Sequence, residues 1–165
     1  MDNRPTFYTN DTKPIRAGGI IFYAQDPLTK QIKLLMQYTK KNDRNIYEDI
    51  GGKTDEKDTC INDTIIREVV EETNNIITKE ILNDYLIKSN HHIYLPKSKY
   101  YLLLVKADKD IIDIDRRKYG KTEIHSNKER QFHWINAQRL TFGTPFNDRI
   151  WFIRKQINEF FSTLL

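Results

Sequence analysis

The chain has 165 residues, of which 38% are hydrophobic and 30% are charged, and its formal net charge at pH 7 is +4. This length suits one globular domain with a substantial core, so we expect a single domain over residues 1–165. Neither an apolar run of the roughly 18 residues that a membrane span requires nor a signal-peptide core is found, and a single cysteine, Cys60, excludes an internal disulfide. We therefore expect no membrane partner and a cytoplasmic, reducing location.

Residues 1–12 are polar and irregular, which predicts an N-terminal arm or a short edge strand. Apolar runs bounded by turn residues predict five strands, at 15–23, 32–38, 46–50, 100–107 and 131–135. The segment 76–89 is ambiguous, and 108–130 has the composition of a long polar loop.

Two helices are predicted. The first runs from about residue 59 or 60 to 73, with Asp58 or Thr59 as its cap and Asn74 in the left-handed conformation that ends it. The second is predicted to follow Thr144 as its capping residue, with Pro145 in its first turn, and the apolar spacing of residues 150–164 places it on the core. Trp151, Phe152, Phe160 and Phe161 are expected to lie in the core as well. Strands interrupted by one helix and closed by another indicate a small α/β or α+β sandwich.

An acidic helix face follows a glycine pair. Gly51 and Gly52 end the third predicted strand, and at about 100° per residue Glu68, Glu71 and Glu72 fall within one narrow sector of the first helix. Like charges at this spacing destabilise a helix unless cations neutralise them, and oxygen ligands suit Mg²⁺ or Mn²⁺. Taken alone, the same pattern is also common on solvated helix faces.

In its context this pattern resembles the signature of the Nudix hydrolase family. That signature is a glycine, five residues, an acid, seven residues, then Arg-Glu-aliphatic-x-Glu-Glu-x-Gly-aliphatic. The residues at matching positions are Gly52, Asp58, Arg67, Glu68, Val69, Glu71 and Glu72. Three departures are present: eight residues separate Asp58 from Arg67, and Asn74 and Asn75 replace the terminal glycine and aliphatic residue. Asp55 or Glu56 is the alternative to Asp58.

The resemblance implies the Nudix fold, a mixed central sheet flanked by helices, and a metal-dependent pyrophosphohydrolase. Glu68, Glu71 and Glu72 would hold Mg²⁺ or Mn²⁺, which would activate the water that attacks one phosphorus. The base that takes the proton of this water is Glu68, Glu123 or Glu129, and these alternatives stay open.

The remaining site residues concern positioning and substrate. Arg67 would orient the carboxylates, with Asp58 as a structural partner in the loop. Predicted substrate contacts are Gly51, Gly52, Lys53, Arg16, Arg116 and Arg117. Arg116 and Arg117 belong to a basic and aromatic stretch that ends at Lys121. This stretch is either a guide for a polyphosphate or an RNA 5′ end, or a solvated mobile loop.

Several substrate classes are compatible with this reading. They are nucleoside triphosphates, dinucleotides, nucleotide sugars, diphosphoinositol polyphosphates and a capped RNA 5′ end. The positive charge favours nucleotides or RNA. The alternative from another class is a non-catalytic Nudix-fold module that binds a nucleotide or protein and regulates a process. The oligomeric state is not predicted.

Overall fold

The computed structural model describes residues 2–88, 90–141 and 144–165. The chain forms two compact units, one made of Met1–Ile21 and Ile50–Val105 and the other of Phe22–Asp49 and Lys106–Leu165. Met1 and Ser89, at the ends of two segments considered above, lie outside the described residues. The expectation of one domain over residues 1–165 stays a prediction.

The described strands are β1 (Phe7–Tyr8), β2 (Pro14–Ile15), β3 (Ala17–Gln25), β4 (Ile32–Lys41), β5 (Arg44–Glu48), β6 (Ile50–Lys53), β7 (His91–Leu95), β8 (Tyr100–Lys106) and β9 (Arg130–Asn136). The described α-helices are α1 (Ile61–Glu72), α2 (Lys79–Leu86), α3 (Lys109–Ile112) and α4 (Asp148–Ser162). Short 3-10 helices cover Arg116–Tyr119 and Ala137–Thr141. None of the helices in the described ranges is long and apolar enough to cross a membrane.

In the first unit, β6 pairs antiparallel with the beginning of β3, and β7 pairs antiparallel with β8. The Arg16 and Ala17 amides donate to the Lys99 carbonyl, and further along the chain, within the second unit, the Ala107 amide donates to the Tyr23 carbonyl. Because both residue numbers rise together, β3 and β8 are parallel. The strands are therefore mixed in direction, as the fold class expected from sequence requires.

In the second unit, β4 is central. Its beginning pairs with the end of β3, its end pairs with β5, and β9 pairs along most of its length. The β4–β5 hairpin turns through Asn42 and Asp43, which both have positive φ, the conformation that a type I′ turn requires. This unit buries both faces of β4 around Leu34, Leu35 and Met36.

Helix α1 packs on β6 and α2 through its buried residues Ile65 and Val69. Its N-cap is Cys60, which makes no side-chain capping bond, so the prediction of Asp58 or Thr59 as the cap is wrong. Thr59 instead donates from its amide and its hydroxyl to the Asp63 carboxylate. The predicted left-handed end is confirmed, since Asn74 has a φ of 53°.

Helix α4 differs from expectation at its start and on its surface. Asn147, and not Thr144, caps it by accepting a hydrogen bond from the Ile150 amide. Trp151 and Phe152 are 41% and 75% exposed, so their assignment to the core is wrong. They follow the buried Ile150 by about 100° and 200° around the helix, which turns them away from the core.

Three further segments contain secondary structure that the local sequence pattern did not predict. The ambiguous segment contains α2, and the exposed pair His91 and His92 begins β7, which was not predicted. The expected loop 108–130 contains α3 and a 3-10 helix. The last residue of this 3-10 helix, Tyr119, is 1% exposed.

Candidate functional site

The glycine pair lies where β6 pairs with β3, in the first unit. A Cβ on Gly51 would lie 2.3 Å from the Gly18 carbonyl oxygen and 2.3 Å from the Tyr100 hydroxyl. Neither neighbour of Gly51 leaves room for a side chain, because one is backbone and the other a buried tyrosine. Gly51 is therefore required by strand packing.

Gly52 is required by a different neighbour. A Cβ there would lie 2.5 Å from the Glu68 carboxyl carbon and 2.5–2.6 Å from both carboxylate oxygens. The absence of a side chain thus lets the Glu68 carboxylate lie directly against strand β6. The glycine of the sequence motif, Gly52, thus leaves space for the Glu68 carboxylate.

Arg67 joins the elements of this site. Its Nε and Nη2 donate to the two oxygens of Asp58 at 3.1 and 3.0 Å, a bidentate pair. Nη1 donates to Glu68 at 2.9 Å, and Nη2 also donates to the Lys53 carbonyl at 2.9 Å. Burial opposes the charge on Arg67, but its bonds to Asp58 and Glu68 outweigh this effect and raise its pKa further above its usual value.

Asp58 is buried and fully engaged. Besides Arg67, it accepts hydrogen bonds from the Asp55 amide at 2.8 Å and the Thr64 hydroxyl at 2.7 Å. Burial raises the pKa of Asp58, but these hydrogen bonds together lower it below its usual value. The Asp58 amide also closes a turn on the Asp55 carbonyl. The structure therefore places Asp58 at Arg67, with Asp55 and Glu56 exposed.

The three predicted metal ligands share α1 but differ in environment. Glu68 is half-buried, Glu71 is about one-third exposed, and Glu72 is buried. Within the described ranges, no three His, Cys, Asp or Glu side chains converge as a ready-made metal-binding group. A guanidinium nitrogen of Arg67 lies 2.9 Å from Glu68 and 3.8 Å from Glu71, so this one cation is shared among Asp58 and the two glutamates.

The donor set nonetheless fits a hard divalent ion. All three groups are carboxylates, the ligands that Mg²⁺ and Mn²⁺ prefer, and Gly52 keeps the space beside Glu68 free of a side chain. Arg67 has its own buried partner in Asp58, so its charge stays balanced when Glu68 turns to another cation.

Two predicted substrate contacts of the first unit, Lys53 and Arg16, differ in whether their side chains are available to a ligand. Lys53 is exposed at the end of β6. Its carbonyl accepts from Arg67 and so belongs to the Arg67 cluster, which we define as Arg67 with its partners Asp58, Glu68 and the Lys53 carbonyl. Arg16 is occupied by the N-terminal arm, where its guanidinium pairs with Asp2 and donates to the Thr6 hydroxyl. The arm thus holds the side chain that was expected to reach substrate.

The four remaining predicted residues belong to the second unit. Arg116 and Arg117 lie exposed on the 3-10 helix before β9, and Arg117 pairs with Asp115 at 2.7 Å. Glu129 is exposed and Glu123 is half-buried, and an isolated bridge joins Glu129 to Thr122. Both glutamates are in the segment that precedes β9, as expected.

Sequence reasoning missed two members of the first-unit site. Thr64 lies one helical turn before Glu68, and this spacing could have identified it as a neighbour of the Arg67 cluster. Asp2 carries no local signal, because its pairing with Arg16 depends on how the arm folds back.

No protein-family model matches the chain, and no curated protein matches its sequence. Solved structures do resemble it. A C. elegans Ap4A hydrolase in a binary complex is 17% identical, with a TM-score of 0.56 over 90% of this chain and 98% of that chain. RenU, a Nudix hydrolase from M. smegmatis, is 10% identical, with a TM-score of 0.52 over 96% of both chains. The NUDIX domain of Shewanella oneidensis NrtR, complexed with ADP ribose, is 14% identical, with a TM-score of 0.50 over 92% of both. The chain has the Nudix fold, as its motif predicts.

Proposed function

We propose that this chain is a Nudix hydrolase, a divalent-metal-dependent pyrophosphohydrolase that cleaves a diphosphate linkage in a nucleotide-type substrate. The observation that carries the proposal is the Arg67 cluster, in which Glu68 lies over Gly52 while Arg67 is fixed by a bidentate pair with Asp58. This arrangement sets a row of carboxylates on one helix beside a glycine strand that has room for the first of them. The Nudix fold of the chain supports the same reading.

Glu68, Glu71 and Glu72 would hold Mg²⁺ or Mn²⁺. A bound divalent ion supplies charge neutralisation at the diphosphate oxygens and makes a water molecule more acidic. The exposure of Glu71, about one-third of its side chain, leaves this carboxylate accessible from solvent.

The residues of the chain perform the positioning. Arg67 orients Glu68 and ties α1 to β6 through the Lys53 carbonyl, so the carboxylate and the glycine strand keep a fixed separation. Lys53 would meet a phosphate with its exposed ammonium group, while Gly51 makes room for Tyr100 and Gly52 for the Glu68 carboxylate.

One carboxylate must take the proton of the attacking water. Glu68 is the first candidate, since it lies in the same cluster as the other acids of α1. Glu123 and Glu129 are the alternatives, and single Gln substitutions distinguish the three. The true base is the position at which kcat falls while substrate binding is retained.

The proposed substrate class is a nucleotide with an internal diphosphate, such as a dinucleotide, a nucleotide sugar, a nucleoside triphosphate or an RNA 5′ cap. Two structural neighbours support the first two members, one being an Ap4A hydrolase and the other a complex with ADP ribose. The cytoplasmic location expected from sequence is part of this proposal, and fractionation of source cells tests it.

A non-catalytic Nudix-fold module is the competing proposal. It is favoured by the ion pairing of Glu68 with Arg67, which already neutralises this carboxylate, and by the absence of a converged ligand group among the described side chains. Such a module would bind nucleotide and release no product.

A hydrolysis panel tests the proposal. Dinucleoside polyphosphates, ADP-ribose, nucleoside triphosphates, nucleotide sugars, diphosphoinositols and capped RNA are incubated with Mg²⁺, Mn²⁺ or EDTA, and products are resolved by chromatography. We expect cleavage of at least one member that disappears in EDTA and in Glu71→Gln. Binding without cleavage of every member, by protein shown to be folded, would favour the non-catalytic module.

A further inference from the structure

The basic segment, defined here as residues 116–121, is fixed to strand β9 in the second unit. The guanidinium of Arg130, which is 2% exposed, donates to the carbonyls of Gly120 at 2.7 Å and Tyr119 at 2.9 Å. The Tyr119 ring is buried with its centroid 4.5 Å from that of Phe132, and the Arg130 amide bonds to the Lys121 carbonyl. Residues 119–121 are therefore hydrogen-bonded to Arg130, while the basic side chains of the segment are exposed to solvent.

Four exposed cationic side chains project from this segment, and three of them, Arg116, Arg117 and Lys121, lie on one side at a pocket that Lys118 does not line. Arg117 pairs with the exposed carboxylate of Asp115. Among the residues that the structure describes, no carboxylate lies within ion-pair distance of Arg116 or Lys121. Cations held close together without counter-charges repel one another, so the segment is better stabilised with an anion present.

These cations line a pocket of about 430 Å³ whose floor is β9. Gln131, Phe132 and His133 form this floor. His133 bonds to Gln131 at 3.0 Å and to the Tyr47 hydroxyl at 3.3 Å, and its ring stacks on that of Tyr38. The volume matches that of a small-molecule site.

We propose that this pocket binds the polyphosphate group of a small nucleotide, with Arg116 and Lys121 as the main phosphate contacts and Gln131 and His133 at its floor. A guanidinium and an ammonium group on a preorganised backbone are the groups that recognise phosphate. The pocket does not require the carboxylates of α1, so the inference is independent of the proposed hydrolysis, and binding is expected without metal.

A small ligand fits the pocket better than an RNA chain. One pocket lined by three basic residues has room and charge for one polyphosphate group. Single-stranded RNA instead needs an extended basic groove with aromatic platforms for successive bases. Of the aromatic rings of this floor, Phe132 is buried, and His133 belongs to one compact cluster with Tyr38 and the buried Tyr47. RNA is therefore the competing outcome of the test.

The test is calorimetric binding in EDTA. The full chain is titrated with inorganic tripolyphosphate, ATP, adenosine and a short 5′-triphosphate RNA. We expect binding of tripolyphosphate and ATP but not adenosine, weakened about tenfold or more in the double variant Arg116→Ala/Lys121→Ala. The control is Lys106→Ala/Lys109→Ala, which removes the same charge from exposed positions of the same unit that do not line the pocket.

Three outcomes overturn the proposal. They are absence of binding by folded wild type, equal weakening in both double variants, and binding of the RNA without binding of ATP. Thermal unfolding of each variant shows whether it is folded. The proposed hydrolysis is judged separately, because Glu71→Gln is expected to bind ATP in EDTA normally while losing activity.

Discussion

Substituting alanine at the two adjacent glycines of β6 should have opposite effects: Gly52→Ala should impair function and spare stability, whereas Gly51→Ala should lower stability. A Cβ at this position would lie 2.5 Å from the Glu68 carboxyl carbon, about 1 Å inside an ordinary carbon–carbon contact. The obstacle is the end of a flexible side chain, and Gly52 does not need a positive φ, so the carboxylate can swing away while the backbone stays in place. We expect the free energy of unfolding to change by less than about 1 kcal/mol.

The functional effect of Gly52→Ala should be large. Once Glu68 is displaced, it can no longer occupy the space beside β6 that its bond to Arg67 defines. We expect Mn²⁺ affinity and metal-dependent hydrolysis to fall by about tenfold or more.

Gly51→Ala is the matched control. Its Cβ would lie 2.3 Å from the Gly18 carbonyl oxygen and 2.5 Å from the Gly19 Cα, and neither backbone atom can move independently of β3. We expect a loss of about 3 kcal/mol of stability, at the upper end of the usual cost of overpacking.

Urea denaturation gives the stability of both variants, and Mn²⁺ titration and hydrolysis give their function. A Gly52→Ala protein with normal metal binding and activity would refute the reasoning. So would a Gly52→Ala protein as unstable as Gly51→Ala, since the obstacle would then not be a flexible carboxylate.

Four further predictions concern the stability of the fold and the ionisation of His133. Asp58→Asn should lose about 2–4 kcal/mol, because Arg67 loses its buried charged partner. In the wild type, the lowered pKa of Asp58 stabilises the fold above the ordinary value of 3.8, and urea denaturation should show this contribution disappearing as pH falls through the lower, folded-state pKa. Asn147→Ala should lower the free energy of unfolding by about 1 kcal/mol, because the Ile150 amide loses its cap. Burial and then nearby arginines lower the pKa of His133, so an NMR titration should place its midpoint below 6.5, and stability should fall as pH drops from 6.5 through that midpoint.

The first helix and its acidic face could be predicted because their signals are local. Apolar residues at helical spacing place Ile65 and Val69 inward, and the same geometry groups Glu68 with Glu71 and Glu72. The end of the helix at Asn74 follows from the tolerance of asparagine for positive φ. The pairing of Arg67 with Asp58 was expected from the family resemblance and from the bidentate chemistry of the two groups, and the structure brings the two together.

The features that escaped prediction depend on residues distant in sequence. Tyr119 is buried because Phe132 and Arg130 receive it, and the polar composition around it gives no sign of this. Which side of α4 faces the core depends on the residues against which the helix packs, and these are distant in sequence. An aromatic residue such as Phe152 can therefore face solvent. Similarly, Arg16 is engaged by Asp2 only because the arm folds back over it.

The central claim is that the carboxylates of α1 bind a divalent metal, and Mn²⁺ binding measured by electron paramagnetic resonance tests it without knowledge of the substrate. Wild type is compared with Glu71→Gln and with Glu80→Gln, which removes an exposed carboxylate from α2 instead. We predict that wild type and Glu80→Gln bind Mn²⁺ equally, while Glu71→Gln binds it about tenfold or more weakly. Equal Mn²⁺ binding by all three proteins, or none by folded wild type, would contradict the claim.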